Sequence, residues 1–219
     1  MQPFASFPKV NPMPKIDLTY FNAPGRAEPV RVALFLSGLP FTDHRVDFAG
    51  FGAMKAAGAL PLGSVPVMDV DGLRLTQTGA MLRYVARLGN TDLYPNDAFD
   101  AFVVDSCIDT FNDTVSNALT PSMFERDMEK KLEMRATFVA GPLTLACRYV
   151  EGLIERSGGP FLLGQTLTIA DLLIASQVLT IQSGHLDGIT GETLAPYPLL
   201  RGLAEAYLAH PRIQAYRSK

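Results

Sequence analysis

The chain of 219 residues has few cysteines, no surplus of positive charge and no long hydrophobic run. Its two cysteines, Cys107 and Cys147, are too few for a disulfide scaffold, and neither lies in a cluster with metal-ligand spacing. We therefore exclude a structural zinc site and expect a reducing compartment. The formal net charge of -3 and the pI near 5.6 argue against nucleic acid as a partner. The longest apolar stretches are far shorter than the roughly 20 residues that cross a bilayer, so we expect no membrane association through a spanning helix.

The composition of the chain, 47% hydrophobic and 19% charged, is typical of one large or two small globular domains. Residues 1–13 contain three prolines and lack the basic start and apolar run of a signal peptide. We interpret them as an N-terminal extension and expect a cytoplasmic protein. No repeat of about 20–50 residues is visible, which excludes a solenoid.

Residues 14–90 carry both strand and helix patterns. The alternation in residues 16–20 predicts a half-buried strand that ends at Tyr20, and the spacing from Arg26 to Gly38 predicts a helix. Residues 41–46 predict a second strand. The Gly/Ala-rich residues 48–60 predict an irregular or weakly helical segment.

A hairpin and a further helix complete this half. Asp71 and Gly72 separate two alternating apolar runs, and both residue types accept the positive φ of a type I′ turn. Thr78 or Thr76 is expected to cap the helix that follows, which ends at Gly89.

Only helical patterns follow residues 91–99, a polar stretch with a proline that we interpret as a linker. Residues 100–219 are predicted to form an all-α domain. The candidate helices are residues 98–118, 124–156, 168–183 and 198–208. Thr168 and Asp171 have the spacing of a capping box at the start of the third helix.

Five short motifs in the first half stand in a recognisable order and spacing. They are Leu18–Asn22, Gly25–Glu28, Val65–Pro66, Asp71–Leu73 and Gln77–Thr78. Together they resemble a cytosolic glutathione transferase, and most of all the sigma-type branch that includes glutathione-dependent prostaglandin D synthases. The resemblance covers about residues 14–217. It implies an α/β thioredoxin-like N-terminal domain, an all-α C-terminal helical domain that carries the electrophile pocket, glutathione as co-substrate, and a homodimer.

The resemblance assigns the catalytic role to Tyr20. A free thiol titrates at about 8.5, so near neutrality most glutathione stays protonated unless a donor stabilises the thiolate. In this family a tyrosine hydroxyl does so, and Arg26 resembles an arginine that adds positive potential near the sulfur. Without the surrounding motifs, Tyr20 would be read as an amphipathic aromatic at a sheet edge and Arg26 as a surface residue paired with Glu28.

The same resemblance implies a binding groove for glutathione. Val65–Pro66 resembles the cis-proline corner whose backbone pairs with the cysteinyl part of glutathione as an added strand. Gln77–Thr78 resembles the pair that holds the γ-glutamyl carboxylate at a helix N-terminus. Lys55 matches a lysine for the glycyl carboxylate, and Asp113 matches an aspartate that reaches the γ-glutamyl ammonium of the other subunit. The remaining implied glutathione-binding residues are Phe21, Phe51, Gly63 and Ser64.

The electrophile pocket is expected to be apolar. We expect Phe21 from the first domain and side chains of the helical domain such as Val115 and Leu173 to form it.

The chain departs from the family pattern at several positions. It has no tryptophan, and Phe51 stands where the sigma pattern has one, so the indole N–H donor is missing. Ser64 replaces Lys or Gln, and Thr78 replaces Ser. Asn112 replaces the first acid of a paired-aspartate motif, and we predict no metal site. The segment from Lys55 to Pro66 is about two residues longer than the usual pattern.

The predicted function is conjugation of the glutathione thiolate to hydrophobic electrophiles. One alternative is isomerisation of a prostaglandin-like endoperoxide with glutathione as a recycled cofactor. Another is a non-catalytic ligand-binding or structural protein, as in the lens crystallins of the family. Retention of Tyr20, Arg26, Val65 and Gln77 argues against the latter. Thiol exchange would need a cysteine at the position of Tyr20.

Overall fold

The computed structural model describes residues 13–89 and 91–219, so the predicted N-terminal extension lies outside the described residues except for Met13. The strands are β1 (Ile16–Phe21), β2 (Thr42–Val46), β3 (Val67–Val70) and β4 (Leu73–Thr76). The helices of the first half are α1 (Glu28–Leu36), α2 (Phe48–Ala56) and α3 (Thr78–Leu88), and a 3₁₀ turn (Gly25–Ala27) leads into α1. Those of the second half are α4 (Ala98–Thr110), α5 (Asn117–Phe124), α6 (Met128–Phe138), α7 (Thr144–Ser157), α8 (Ile169–Gln182), α9 (Pro198–Ala209) and α10 (Pro211–Arg217).

The sheet has the strand order β2-β1-β3-β4, in which β1 runs parallel to β2 and antiparallel to β3. The β1–β3 register pairs Thr19 with Val67, so Tyr20 and Phe21 lie beside the segment that precedes β3. Asp71 and Gly72 have φ values of 50° and 87°, as the predicted hairpin turn requires.

The two faces of the sheet are covered by different helices because side chains alternate along a strand. Met68 of β3 joins the main core under α1 and α3. Its neighbour Val67 points to the other face, where Phe51 and Met54 of α2 pack on a small second cluster.

Helix α2 is regular over Phe48–Ala56, whereas residues 48–60 were predicted only as an irregular or weakly helical segment. Asp47 caps it by accepting a hydrogen bond from the Gly50 N–H at 2.7 Å. None of its side chains is fully buried, and its glycines and alanines make the apolar periodicity too weak to predict a regular helix.

The second half is helical, but its boundaries differ from the predicted ones. Helix α4 continues through a π-helical segment (Phe111–Ser116) into α5, and α6 continues through a second one (Val139–Leu143) into α7. The break between the two long helices lies at residues 125–127, where Asp127 caps α6. Helix α10 was not predicted. Pro211 marks the end of α9 in the sequence, and the structure shows that the same proline begins the next helix.

Helix α8 is buried on almost all sides and begins with the predicted capping box. Asp171 accepts hydrogen bonds from the Thr168 N–H and hydroxyl, both at 2.7 Å, and from the Leu162 N–H at 3.0 Å. Burial raises the pKa of Asp171 to about 6, although these donors act in the opposite direction.

One hydrophobic core runs through both halves. A methyl group added to Gly79 of α3 would lie 2.8 Å from Ile108 Cγ2 of α4, so the two helices pack closely there. Arg212 of the C-terminal region donates to the Leu36 carbonyl at 2.9 Å. The division of the chain at residues 91–99 therefore stays a prediction, since the core continues across it.

No helix within residues 13–89 and 91–219 has the length and apolar character that crossing a bilayer would require.

Candidate active site

The site is built around Tyr20, a half-buried residue at the C-terminal end of β1. Its hydroxyl oxygen accepts a hydrogen bond from the Arg26 backbone N–H at 3.2 Å. That bond orients the oxygen and leaves the hydroxyl proton for an acceptor outside the turn. The strand therefore places the tyrosine, and the following turn fixes the position of its hydroxyl.

Gly25 makes this close approach possible. Its φ of 44° lies in the left-handed region, and an added methyl group would lie 2.5 Å from the Tyr20 hydroxyl oxygen and 2.7 Å from Cε1. A side chain at position 25 would thus displace the ring. In the sequence Gly25 was noted only as the first residue of the Gly25–Glu28 motif.

Arg31 of α1 stabilises the turn between Tyr20 and Arg26, a role that the sequence did not predict. Its buried guanidinium donates to the carbonyls of Ala23 and Pro24 at 3.0 and 3.2 Å. It also pairs with Asp43 at 3.0 Å and lies 5.9 Å from the centroid of the Tyr20 ring. The only signal in the sequence was a charged residue within an apolar helix.

The segment before β3 lies beside this tyrosine. The Val65–Pro66 peptide bond is cis, as the resemblance implied, and Val65 is buried. Tyr20, Phe21 and Phe51 all pack against the small cluster that contains Val65. The structure thus brings the predicted strand-addition edge next to the predicted catalytic residue.

An aromatic group forms one side of the groove. The Phe21 ring centroid lies 5.2 Å from that of Phe51 and 5.1 Å from that of Phe48. Phe48, which is 73% exposed, was not among the predicted site residues. Lys55 lies at the end of the same helix, and a methyl group added to Gly63 would lie 3.6 Å from its Cε. Lys55, Gly63 and the exposed Ser64 are therefore neighbours.

Gln77 and Thr78 lie at the start of α3. Gln77 is exposed. Its φ of 77° and ψ of 108° form a positive-φ conformation that residues other than glycine rarely adopt. The Thr78 hydroxyl donates to the Arg26 carbonyl at 3.2 Å and makes no cap. The expected capping by Thr76 or Thr78 is wrong, because Gln77 occupies the N-cap position and the Thr78 hydroxyl is used by the Tyr20 turn.

The side chain of Arg26 extends to the helical domain. Its Nη2 donates to the Ser116 carbonyl at 2.8 Å, to Asn117 Oδ1 at 3.1 Å and to Thr120 Oγ1 at 2.7 Å. Asp113 is exposed one turn earlier, and its Oδ1 lies 3.5 Å from Asn117 Nδ2. Its contact with a second subunit stays a prediction.

Val115 and Leu173 do not line a pocket in this structure. They are 0% and 1% exposed and belong to the hydrophobic core between the helices, which corrects the expectation that they face an electrophile. Apolar residues at helical spacing most often complete a core, and these two do so. The residues that meet Arg26 are polar instead, and behind them Gln177 of α8 donates to Ser116 Oγ at 3.2 Å.

Both cysteines are completely buried on helices of the second half. Burial raises the pKa values of Cys107 and Cys147 to about 12, so neither forms a reactive thiolate near neutral pH. Within the described part of the chain, no group of three His, Cys, Asp or Glu side chains could hold a metal ion.

Tyr20 lines neither of two open surface cavities. One, of about 630 Å³, lies between α7 and the start of α9, and the other, of about 450 Å³, lies on the sheet beside Asp17, His44 and Arg74. Neither is lined by the predicted site residues, which lie together around Tyr20 and the Val65–Pro66 segment instead.

Comparison with known proteins identifies the family. Family models match residues 16–87 as a glutathione S-transferase N-terminal domain and residues 112–219 as a glutathione S-transferase C-terminal domain. The hematopoietic prostaglandin D synthase of Mus musculus is 31% identical over 208 residues, which cover 93% of this chain and 96% of the relative.

Solved structures agree. Prostaglandin synthase D of Nilaparvata lugens has a TM-score of 0.80 at 25% identity, covering 94% of this chain and 98% of that one. A monomeric glutathione S-transferase of Necator americanus has a TM-score of 0.73 at 25% identity, covering 93% and 96%. With a thioredoxin-like sheet domain, a helical domain and these relatives, the chain belongs to the glutathione S-transferase family.

Proposed function

We propose that the protein conjugates glutathione to electrophiles, with the Tyr20 hydroxyl donating a hydrogen bond to the glutathione thiolate. The observation that carries this proposal is the Arg26 N–H at 3.2 Å from the Tyr20 oxygen. A hydroxyl that already accepts a bond keeps its proton for the sulfur. Tyr20 stabilises the anion and abstracts no proton.

The energetic requirement is modest. Each unit by which the thiol pKa falls corresponds to about 1.36 kcal/mol of preferential stabilisation of the thiolate. One hydrogen bond to a charged acceptor contributes about 1.5–3 kcal/mol, which is enough for a shift of one to two units. The sulfur then attacks the electrophilic carbon, and the leaving group departs with its electron pair.

The tripeptide would lie along the groove beside β3. We propose that the Val65 backbone pairs with its cysteinyl part and that Gln77 and Thr78 hold the γ-glutamyl carboxylate at the start of α3. Lys55 would bind the glycyl carboxylate, next to Gly63 and Ser64. Phe51 supplies aromatic packing but no N–H donor.

A second candidate is the isomerisation of a prostaglandin-like endoperoxide. The name of the mouse relative supports it, since that protein is a prostaglandin D synthase. It uses the same thiolate, so the electrophile site decides between the two reactions. A binding protein without turnover is the third candidate.

We also propose a homodimer. The apolar side chains of Leu62 and Phe48 beside the groove are 61% and 73% exposed, and a second copy would cover such surface. The monomeric relative from Necator americanus is the contrary example. Sedimentation velocity on the whole chain decides between the two states. A cytoplasmic location stays a prediction from the sequence.

The central test is Tyr20→Phe in the conjugation of glutathione to 1-chloro-2,4-dinitrobenzene. We expect turnover to fall by at least about tenfold, because the thiolate loses its donor, while the glutathione dissociation constant from calorimetry stays within about twofold. Tyr149→Phe is the control, since its exposed hydroxyl contacts Ser106 of α4 and not the site.

Equal turnover in Tyr20→Phe would remove Tyr20 from the mechanism. Rearrangement of an endoperoxide without glutathione consumption would favour the isomerase. Retention on immobilised glutathione without any turnover would favour a binding protein.

A further inference from the structure

Within the described residues, Arg26 forms no ion pair with a carboxylate. Its three hydrogen bonds all come from Nη2 and go to neutral oxygens of Ser116, Asn117 and Thr120. Among the described residues it forms no salt bridge, whereas Arg31 pairs with Asp43 at 3.0 Å. A half-buried guanidinium without a carboxylate is the arrangement that favours an anionic ligand.

The charge also lies close to the proposed catalytic hydroxyl. The backbone N–H of Arg26 holds the Tyr20 hydroxyl at 3.2 Å, and its side chain crosses to the helical domain. The guanidinium therefore lies one arginine side chain away from the backbone N–H that contacts the Tyr20 hydroxyl, where the proposed thiolate would be held. Within the described ranges, Nη1 and Nε have no acceptor and can donate to a bound oxygen.

The wall around this charge is polar, in contrast to the apolar pocket expected from the sequence. The Thr120 hydroxyl accepts from Arg26 and donates to the Ser116 carbonyl, and Gln177 donates to Ser116 Oγ at 3.2 Å. Asn117 lies between the guanidinium and Asp113. Its Oδ1 accepts a hydrogen bond from Arg26, and its Nδ2 lies 3.5 Å from the Asp113 carboxylate. An apolar group placed here would remove water from these polar groups without offering them a hydrogen bond, which is unfavourable.

We propose that Arg26, Asn117 and Thr120 form a subsite for the anionic group of the electrophile, so that the preferred substrates are electrophiles bearing a carboxylate. This inference rests on the proposed thiolate chemistry at Tyr20. The glutathione sulfur forms a bond to the β-carbon of an enone carboxylate, the carbon–carbon π bond breaks, and the resulting enolate takes a proton from water. The carboxylate itself is unchanged and serves only for recognition.

A matched pair of substrates tests the subsite. Ethacrynic acid and its methyl ester share one reactive enone and differ only in a remote carboxylate. For each, kcat/KM is divided by the rate constant of the uncatalysed reaction with glutathione. We expect the wild-type protein to prefer the acid by about tenfold, as a charge-assisted hydrogen bond provides.

Arg26→Gln should lower the acid-to-ester ratio by about tenfold, because it removes the charge and keeps an amide. Any effect of this variant on Tyr20 or on glutathione binding lowers both rates and cancels in the ratio. Thr120→Val keeps the charge but removes one of its supports, and should lower the ratio by about threefold. Arg148→Gln, an exposed arginine of α7, is the matched control and should leave the ratio unchanged.

Binding of the two S-conjugates, measured by calorimetry, separates this inference from the proposed catalysis. Tighter binding of the acid conjugate, lost in Arg26→Gln, would support the subsite even if turnover were absent. A wild-type ratio of one or less, a ratio that Arg26→Gln does not change, or failure to bind either conjugate would overturn it.

Discussion

At the residue scale, the position of one hydroxyl depends on a residue without a side chain. Gly25 has a φ of 44°, and the Tyr20 oxygen lies where its Cβ would project. Arg31 holds the two preceding carbonyls from the other side of the turn. The position of the proposed catalytic hydroxyl is therefore set by three residues within a stretch of twelve.

Gly25→Ala tests this arrangement. The methyl group would lie 2.5 Å from the Tyr20 oxygen, so the ring must move, and we expect kcat/KM for conjugation to fall by about tenfold or more. Gly38→Ala is the control, because Gly38 also has a positive φ, of 64°, but nothing lies within 4 Å of its added methyl group. Both variants should lose about 1 kcal/mol or more of stability in urea unfolding, from backbone strain. If both lost activity equally, the contact with Tyr20 would not be the cause.

The relative placement of the proposed site residues was predictable where a local motif carried them. Tyr20, Val65–Pro66 and Gln77–Thr78 follow one another in fixed local contexts, and the structure brings them to one end of the sheet. Val115 and Leu173 were misassigned because a buried apolar side chain and a pocket-lining one have the same helical spacing. The polar partners of Arg26 lie about ninety positions away in the chain, and no local pattern connects them.

At the scale of the elements, α8 depends on one buried carboxylate. Asp171 closes the capping box and also holds the Leu162 N–H, so the loop before the helix and its first turn share one group. Burial raises the pKa of this carboxyl from 3.8 to about 6. The start of the helix is thus sensitive to pH.

Asp171→Asn gives the sign of that dependence. Between 3.8 and about 6 the folded state holds a proton on Asp171 that the unfolded chain has lost, so stability falls as the pH rises through this window. We expect the free energy of unfolding of the wild type, relative to Asp171→Asn, to fall from about pH 4 to about pH 6 and to stay level above. Urea unfolding at a series of pH values measures it. A difference that rises through the window would mean that the hydrogen-bond donors outweigh the burial.

Elements with a strong local signal were predicted and the others were not. The Asp71–Gly72 hairpin and the α8 capping box are encoded by a few adjacent residues, and the structure contains both. Residues 48–60 were predicted only as irregular or weakly helical because α2 is rich in glycine and alanine, and α10 was not predicted because its seven residues begin at a proline. Their presence depends on caps and on packing against the rest of the chain.

At the scale of the whole molecule, the two halves share one core. Gly79 of α3 allows α4 to approach, and a methyl group there would lie 2.8 Å from Ile108 Cγ2. The class of each half was predictable from its periodicity. The way in which the halves pack was not, since it rests on contacts between residues far apart in the chain.

Gly79→Ala is expected to destabilise the protein although alanine favours a helix. The gain in helix propensity is about 1 kcal/mol, and overpacking at a close contact costs about 1–3 kcal/mol, so the cost prevails. Gly202→Ala in α9 is the control, because nothing lies within 4 Å of its added methyl group, and it should gain up to about 1 kcal/mol. Urea unfolding of both variants gives the comparison. A stabilised Gly79→Ala would show that α3 and α4 can separate without penalty.

Arg26 has a further consequence for how the protein works as temperature changes. Its backbone N–H binds the Tyr20 hydroxyl, and its side chain binds the Ser116 carbonyl of the helical half. A movement of the two halves apart would therefore also displace the Tyr20 hydroxyl. Warming that weakens the contacts between the two halves should then lower turnover before either half unfolds. We expect activity to decline at a lower temperature than the unfolding transition seen by calorimetry.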